Sequence, residues 1–239
     1  MNSIATLLQR TAPFSSLPTA DIERLGLLSQ VMRHAKGDVI YNEGDPADGV
    51  WILEAGRAAI FQYHADGKPF ALDAVQPDEL LSPLDRFAED SATYPCTAIA
   101  CIDAVSIRIP DRYVRSLYHR HPGFLAAVFA LCARQLARLR GRLMVNHEPA
   151  RQRIVWTLFQ LKQSGNTLPY TKREISELAG TTVETTIRIL SDFEKKRWIA
   201  SKRGCITLTD IPRLRSLIGD AQAARREFKT LASGAPLAA

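Results

Sequence analysis

Long apolar runs are missing from this chain of 239 residues. Its uninterrupted apolar stretches are far shorter than the roughly 18 residues that a membrane-spanning helix needs, so the sequence predicts no transmembrane segment. The first residues also lack the basic region and apolar block of a secretory signal. We therefore expect a cytoplasmic protein that does not bind a membrane.

Cysteine is scarce as well, with only four residues, Cys96, Cys101, Cys132 and Cys205. None of them belongs to a C-x-x-C pair or a Cys/His ladder, so the sequence predicts neither a zinc site nor a disulfide framework. The sequence also contains no P-loop, no G-x-S-x-G motif and no H-E-x-x-H motif. These absences argue against an enzyme and against a resident metal ion.

Charge is distributed unevenly along the chain. Residues 1–111 carry 8 Lys and Arg against 16 Asp and Glu, residues 112–150 carry 7 against 1, and residues 151–239 carry 16 against 8. Because Lys and Arg neutralise phosphates, this partition is typical of a regulatory module joined to a nucleic-acid-binding module. Solvated surface charge is the alternative interpretation.

Hydrophobic periodicity changes twice along the chain. Helical spacing over residues 1–30 is followed by short β-rich stretches with turn signals at Gly37, Gly44 and Gly56, which predict a small antiparallel barrel or sandwich. Helical spacing returns from Asp111 onward. We place the domains at residues 1–120, 121–147 and 148–239 and expect an α+β protein.

A long helix is predicted after His121 and Pro122. Its apolar residues recur at alternating steps of four and three, which is the a/d seam of a coiled coil. The seam runs to Asn146 and consists of Leu125, Phe129, Cys132, Leu136, Leu139 and Leu143. The helix could instead pack on its own domain, but the strict alternation favours a two-fold dimer.

The stretch from Thr171 to Glu194 predicts a helix-turn-helix. Thr171, with Glu174 three residues later, forms a capping box for a short first helix, and Gly180 permits the tight turn that ends it. The buried stripe of the second helix is predicted to consist of Val183, Ile187, Leu190 and Phe193. Two short strands around a basic turn follow, which makes the motif a winged variant.

Residues at the start of the second helix are the candidates for contact with bases. These are Thr182, Glu184, Thr185 and Arg188. Arg188 can donate bidentately to a guanine and Glu184 can accept from a cytosine amino group, although the two could also form a surface ion pair. Candidate phosphate ligands, each of which could instead be a solubilising charge, are Arg173, Lys195, Lys196, Lys202 and Arg203.

The glycines of the β-rich part, the long helix and the stretch TVETTIRIL together resemble the Crp/Fnr (cyclic-AMP receptor protein and fumarate-nitrate regulator) family of bacterial transcription factors. The resemblance implies a cyclic-nucleotide-binding-like β-roll, a long dimerisation helix and a C-terminal winged helix-turn-helix. It also implies a homodimer on a palindromic site and contact with RNA polymerase. The family's E-x-x-x-R pattern, which reads a TGA-like half-site, matches Glu184 and Arg188. Ile187 stands where family members often have Ser or Gly.

The effector site departs from the family pattern. Members that bind cyclic AMP have a cassette that opens Gly-Glu-Leu and closes Arg-Ser-Ala or Arg-Thr-Ala, whereas this chain has Asp78-Glu79-Leu80 and Tyr94-Pro95-Cys96. The arginine that would neutralise the phosphate has no counterpart, so cyclic AMP is not the expected effector. By the resemblance, the candidate residues for an unidentified small-molecule or redox effector are Glu79, Leu80, Tyr94 and Cys96.

The cofactor is also left open. The family's iron–sulfur branch uses cysteines before the β-roll, and none precedes Cys96, so no such cluster is expected. Five histidines keep haem open, although a lone histidine is usually a surface or core residue; they are His34, His64, His119, His121 and His147. Cys96 and Cys101 are either redox sensors or inert packing. A haem or redox sensor with secondary DNA contact is therefore the alternative function.

Overall fold

The computed structural model describes residues 3–63, 69–81, 93–145, 147–162 and 165–218. The chain divides into two compact units, Met1–Gly141 and Arg142–Ala239. His64, Asn146 and residues 82–92, between the two halves of the compared cassette, lie outside the described residues. The domain boundaries expected from the sequence stay a prediction.

The first unit begins with helices and continues as a β-rich domain. Its helices are α1 (Ser3–Arg10), a 3-10 turn (Phe14–Ser16), α2 (Thr19–Leu28), α3 (Asp111–Arg120) and most of α4 (Pro122–Val145). Its strands are β1 (Gln30–His34), β2 (Val39–Tyr41), β3 (Gly49–Ala55), β4 (Ala58–Tyr63), β5 (Pro69–Val75), β6 (Thr97–Ala100) and β7 (Ala104–Pro110). They form two antiparallel sheets with strand orders β1-β7-β3 and β2-β6-β4-β5. The predicted small antiparallel β domain is confirmed.

The two faces of the β1-β7-β3 sheet pack against different partners. Because side chains alternate along a strand, Ile52 and Ile107 point to one face, where they meet the core formed by α1, α2, α3 and the start of α4. Trp51 and Leu53 point to the other face and pack against the second sheet. The β domain therefore has one core between its sheets and a second core beneath its helices.

Gly56, between β3 and β4, has a positive φ of 88°. A Cβ at this position would lie against the Asp103 carbonyl oxygen and 2.6 Å from the Ala104 Cα. Gly37 has a φ of 93°, but a Cβ there would meet no atom within 4 Å. Only glycine combines this backbone conformation with so close an approach of two chain segments at Gly56.

Alanine substitution should therefore cost more at Gly56 than at Gly37. Gly37→Ala carries only the backbone penalty of roughly 1–2 kcal/mol. Gly56→Ala adds overpacking and should lower the free energy of unfolding by roughly 1–3 kcal/mol more. Urea unfolding of the two full-length variants measures the difference, and equal losses would contradict the close approach at Gly56.

Helix α4 is the predicted long helix. Phe124 and Val128 anchor its first half in the core beneath the β1-β7-β3 sheet, and Arg138 lies 3.7 Å from Asp73 of β5. Over Pro122–Gly141 the helix is long and apolar enough to cross a membrane, the one such helix in the described part of the chain. By length and composition alone, it is thus an exception to the expectation that no segment could span a membrane.

The second unit is a small helical domain with a three-stranded sheet. Its elements are α5 (Ala150–Leu161), β8 (Thr167–Leu168), α6 (Lys172–Leu178), α7 (Val183–Lys195), β9 (Ile199–Lys202), β10 (Cys205–Leu208) and α8 (Ile211–Ser216). The strand order is β8-β10-β9, all antiparallel, and Gly204 has a φ of 73° in the turn between β9 and β10. The predicted winged helix-turn-helix is confirmed.

Candidate nucleic-acid interface

The first helix of the helix-turn-helix, α6, begins at the predicted capping box. The Thr171 hydroxyl accepts from the Glu174 backbone N–H at 3.2 Å, and the Glu174 carboxylate accepts from the Thr171 backbone N–H at 2.7 Å. Both hydrogen bonds satisfy backbone N–H groups that have no partner inside the helix. The start of the motif is thus set by two side chains, as the sequence predicts.

A glycine turn then redirects the chain into α7. Gly180 has a φ of 58°, which favours glycine. Thr182 caps α7, because its hydroxyl accepts from the Thr185 backbone N–H at 3.2 Å. The cap fixes the residue at which α7 begins, and therefore which side chains project from its first two turns.

The buried face of α7 differs from the prediction at Ile187, and Val183 is only partly buried. Thr186, Leu190 and Phe193 are buried, whereas Ile187 is 44% exposed. The spacing of the buried residues, four and then three, places the buried stripe one residue before Ile187. The assignment of Ile187 to the buried stripe was therefore wrong.

Ile187 shares an exposed face of α7 with Glu184 and Arg188, which we name the reading face. Within the described ranges, neither charged side chain forms a hydrogen bond or salt bridge, so the alternative of a Glu184–Arg188 ion pair is not observed. Thr182 is exposed and Thr185 is partly exposed at the same end of the helix. The reading face therefore offers one acceptor, one apolar group and one bidentate donor.

The candidate phosphate ligands fall into two groups. Lys195, Lys202 and Arg203 are exposed, and no salt bridge of theirs is found within the described residues. Arg173 instead pairs with Glu177 at 3.1 Å, and Lys196 pairs with Asp192 at 3.1 Å. The first group is free to reach phosphates, whereas the second must exchange an existing partner.

A cluster at the end of α7 explains the position of Lys196. Lys196 and Arg151 both donate to the Asp192 carboxylate and hold its pKa below its usual value. The Arg151 guanidinium also lies 4.7 Å from the centre of the Phe193 ring, and Lys196 lies 5.1 Å from the Trp198 ring. Arg151, which the sequence prediction did not include, joins α5 to the last turn of α7.

The predicted dimer seam lies partly on the open side of α4. Leu125 is 48% exposed, Phe129 75%, Leu136 49% and Leu139 45%. Cys132 is half-buried and packs against the core of its own unit. The Leu143 side chain lies outside the described part of the structure. Four seam residues thus form an apolar stripe that is about half exposed or more in the single chain.

Two of the candidate effector residues lie between the sheets of the β domain. Tyr94 is 3% exposed, stacks on Tyr41 with ring centres 4.2 Å apart, and donates its hydroxyl proton to the Gly49 carbonyl at 2.9 Å. The same hydroxyl accepts from the Trp51 indole N–H at 2.8 Å. Cys96 is 2% exposed in the same cluster. Both residues are packing groups in this structure.

The other two candidate effector residues occupy a different place. Leu80 forms a bridge with Ile52 and packs against the core beneath the helices, on the opposite side of the β1-β7-β3 sheet from Tyr94. The Glu79 carboxylate accepts from the Gln76 backbone N–H at 3.0 Å, and burial raises its pKa. The structure therefore does not bring the four candidates together into one pocket.

The described histidines and cysteines that were candidates for a metal or redox site show no cluster of metal ligands and no disulfide. Among the residues that the structure describes, no group of three or more His, Cys, Asp or Glu side chains could hold a metal ion. None of the four cysteines, all within the described ranges, forms a disulfide. His34 forms a hydrogen bond with the Ser106 hydroxyl at 2.8 Å, and burial lowers its pKa. Its imidazole is therefore held within the β domain by a hydrogen bond to a neighbouring strand.

A sensor-type β domain, a long helix and a winged helix-turn-helix with an exposed reading face define a DNA-binding transcription regulator. Two family models match the chain, a cyclic nucleotide-binding domain over residues 31–121 and a Crp-like helix-turn-helix domain over residues 152–217. The chain belongs to the Crp/Fnr family of regulators.

Known relatives agree with this assignment. A CRP-like cAMP-activated global transcriptional regulator of Mycobacterium tuberculosis is 26% identical over 221 residues, which cover 87% of this chain and 96% of that protein. The cyclic AMP receptor protein of Thermus thermophilus is 26% identical and covers 66% of this chain and 73% of its own. The fold matches FixK2 of Bradyrhizobium japonicum with a TM-score of 0.73, at 19% identity and with 81% of this chain and 98% of that chain covered.

Matches to an enzyme are confined to one domain. The neuropathy target esterase of Drosophila grimshawi is 26% identical over 58% of this chain, but that match covers only 10% of the esterase. The relatives that match over most of their own length are transcription regulators. The family assignment therefore implies a transcription regulator.

Proposed function

We propose that this regulator acts as a cytoplasmic homodimer that binds a palindromic DNA site through the reading face of α7. The proposal rests on the exposure of Glu184, Ile187 and Arg188. Glu184 and Arg188 have no side-chain partner among the described residues. In helix-turn-helix proteins the first turns of the second helix enter the major groove. Thr182 and Thr185 lie at the same end of α7 and complete the set of candidate base contacts.

Each member of the reading face suits a different base. Arg188 can donate two hydrogen bonds to guanine, and Glu184 can accept one from the cytosine amino group. Ile187 has no hydrogen-bonding group, so its favourable contact in the major groove is with the methyl group of thymine. The family resemblance implies a TGA-like half-site, and we propose that a thymine of the site lies beside Ile187.

Ile187→Ser should change the base preferred at one position. The substitution removes the apolar contact with the thymine methyl group. It introduces a hydroxyl that can either donate or accept a hydrogen bond, so it does not favour thymine. We expect the preference for thymine there to fall by roughly 1–3 kcal/mol, the typical cost of one mismatched pair. Binding to a half-site library randomised at single positions measures this preference.

Ile187→Val is the matched control, because valine keeps methyl groups on the reading face. It should retain the preference for thymine. If Ile187→Ser and Ile187→Val select the same base with the same preference, Ile187 does not contact DNA.

The basic residues around α7 are proposed to hold the DNA backbone. Lys195 at the end of α7 and Lys202 with Arg203 in the wing have exposed side chains that can reach phosphates. Arg173 and Lys196 would join them by exchanging their carboxylate partners for phosphate. Such contacts fix the register of the protein on DNA without distinguishing sequences.

The apolar stripe of α4 is proposed to be the dimer interface, with a second copy of the chain as its partner. Leu125, Phe129, Leu136 and Leu139 follow the steps of a coiled-coil seam and are all at least 45% exposed. A two-fold dimer buries this stripe and presents two reading faces related by the same symmetry. The division into a sensor (1–120), a dimerisation helix (121–147) and a DNA-binding domain (148–239) belongs to this proposal. We also propose RNA polymerase as a partner, because the family resemblance implies it.

We propose that the effector is not cyclic AMP. The names of the relatives from Mycobacterium tuberculosis and Thermus thermophilus refer to cyclic AMP. In this chain Tyr94-Pro95-Cys96 replaces the arginine end of the cassette, and Tyr94 fills the space between the sheets. A cyclic phosphate would therefore lack the cassette arginine that neutralises its charge in the family.

Cyclic AMP should accordingly leave the thermal unfolding of this protein unchanged. A ligand at about 100 times its Kd stabilises a protein by roughly 2.7 kcal/mol, which raises the melting temperature by several degrees. The Thermus thermophilus receptor measured under the same conditions is the positive control. A comparable rise in the melting temperature of this protein would contradict the proposal.

A further inference from the structure

Arg153 of α5 binds the turn of the helix-turn-helix through two parallel hydrogen bonds. Its Nε donates to the Ala179 carbonyl at 3.1 Å, and its Nη2 donates to the Gly180 carbonyl at 3.0 Å. Ala179 is the C-cap of α6, and Gly180 is the residue of positive φ that leads toward α7. One guanidinium therefore holds both carbonyls at the point where the motif changes direction.

The carbonyl of Ala179, the C-cap of α6, needs a donor from outside the helix, and the carbonyl of Gly180 lies in the turn that follows. The last carbonyls of a helix have no partner inside it, and their partial negative charge favours a cation at the C-terminus. Arginine offers donors in a rigid planar fork, whereas lysine offers a single ammonium on a flexible stem. The two bonds to successive carbonyls thus require arginine and not merely positive charge.

The same side chain also reaches the segment between α4 and α5. Nη1 of Arg153 donates to the Glu148 carbonyl at 3.3 Å, and Glu148 lies between the end of α4 at Val145 and the start of α5 at Ala150. This linker segment and the turn before α7 are separated by about thirty residues in sequence, and Arg153 contacts both.

We propose that Arg153 is a positioning residue that holds the linker, the turn at Gly180 and the start of α7 as one body. The reading face begins four residues after Gly180, so the angle at which α7 leaves the turn determines where Glu184 and Arg188 point. A conformational change in the linker after α4 is transmitted to the reading face through the hydrogen bonds of the Arg153 guanidinium. The inference rests on the proposed DNA-binding function of that face.

Arg153→Lys tests the role of the fork while the charge is kept. On the duplex that the wild-type full-length protein selects from a random library, we expect the affinity to fall at least tenfold. The affinity for a scrambled duplex and the slope of log K against log salt concentration should stay unchanged, because Arg153 donates to backbone carbonyls and not to phosphates. Arg213→Lys is the matched control, since the exposed Arg213 side chain has no partner among the described residues, and it should leave both affinities unchanged.

Two results on DNA would overturn the proposal. An equal loss on the selected and scrambled duplexes would show that Arg153 acts through general affinity or folding. An unchanged affinity for the selected duplex would show that the turn does not depend on the fork.

A measurement on the wild-type protein covers the case in which Arg153→Lys does not fold. The Arg153 Nε–H proton should exchange with solvent at least tenfold more slowly than that of Arg213, as observed by NMR. Equal exchange rates would overturn the proposed contact. This experiment needs no DNA, so failure of the wild-type protein to select a duplex would count against the proposed function and not against the Arg153 contact.

Discussion

Phe129→Glu is expected to convert the proposed dimer to a monomer. Phe129 is 75% exposed in the single chain and lies in the middle of the apolar stripe of α4. In a two-fold dimer the substitution buries a carboxylate near its symmetry mate, and an uncompensated buried charge costs roughly 3–5 kcal/mol. That cost corresponds to more than about a hundredfold weaker dimerisation, and binding to a full inverted repeat should weaken with it.

Sedimentation equilibrium measures the change in the association of the full-length protein. Leu27→Glu is the matched control, because Leu27 is 79% exposed but lies on α2 outside the stripe. It should leave the dimer intact. A Phe129→Glu variant that stays dimeric would contradict the interface, and a wild-type monomer that binds lipid vesicles would assign the stripe to a membrane.

Arg188→Ala is expected to remove most of the discrimination between the cognate site and other DNA. The guanidinium is exposed and has no partner among the described residues, so the bound state gains its two hydrogen bonds to guanine without breaking an existing pair. A bidentate contact of this kind discriminates by roughly 1–3 kcal/mol for each half-site. The affinity for a scrambled duplex should change little.

Lys195→Ala provides the comparison for a phosphate contact. It should weaken binding to cognate and scrambled duplexes alike and reduce the slope of log K against log salt concentration by about 1 for each half-site. Competition binding with both duplexes at several salt concentrations separates the two kinds of residue. Equal losses on both duplexes for Arg188→Ala would contradict its assignment to a base.

Much of the fold follows from local patterns. The change from helical to alternating periodicity predicts the β domain, the steps of four and three predict α4, and Thr171 with Glu174 predicts the start of α6. These features depend on residues close together in the sequence, so their physical causes can be recognised without tertiary structure. The two-sheet topology, by contrast, depends on which distant strands pair.

The parts of the site that could not be predicted depend on tertiary contacts. Ile187 was assigned to the buried face because it is apolar, yet the neighbouring Thr186 is buried, and the choice between them depends on how α7 packs. Arg153 binds backbone carbonyls, which every residue has, so its partners leave no mark on the sequence. Leu80 and Tyr94 were compared with one cassette, but they pack on opposite sides of a sheet.

The most direct test of the central claim is selection of duplexes from a random library by the full-length protein. Two reading faces related by a two-fold axis should enrich an inverted repeat of a TGA-like half-site. The centres of the half-sites should lie about 10–10.5 base pairs apart, or a multiple of that spacing. Enrichment of a single asymmetric motif, or of no motif, would contradict a dimer that reads DNA through α7.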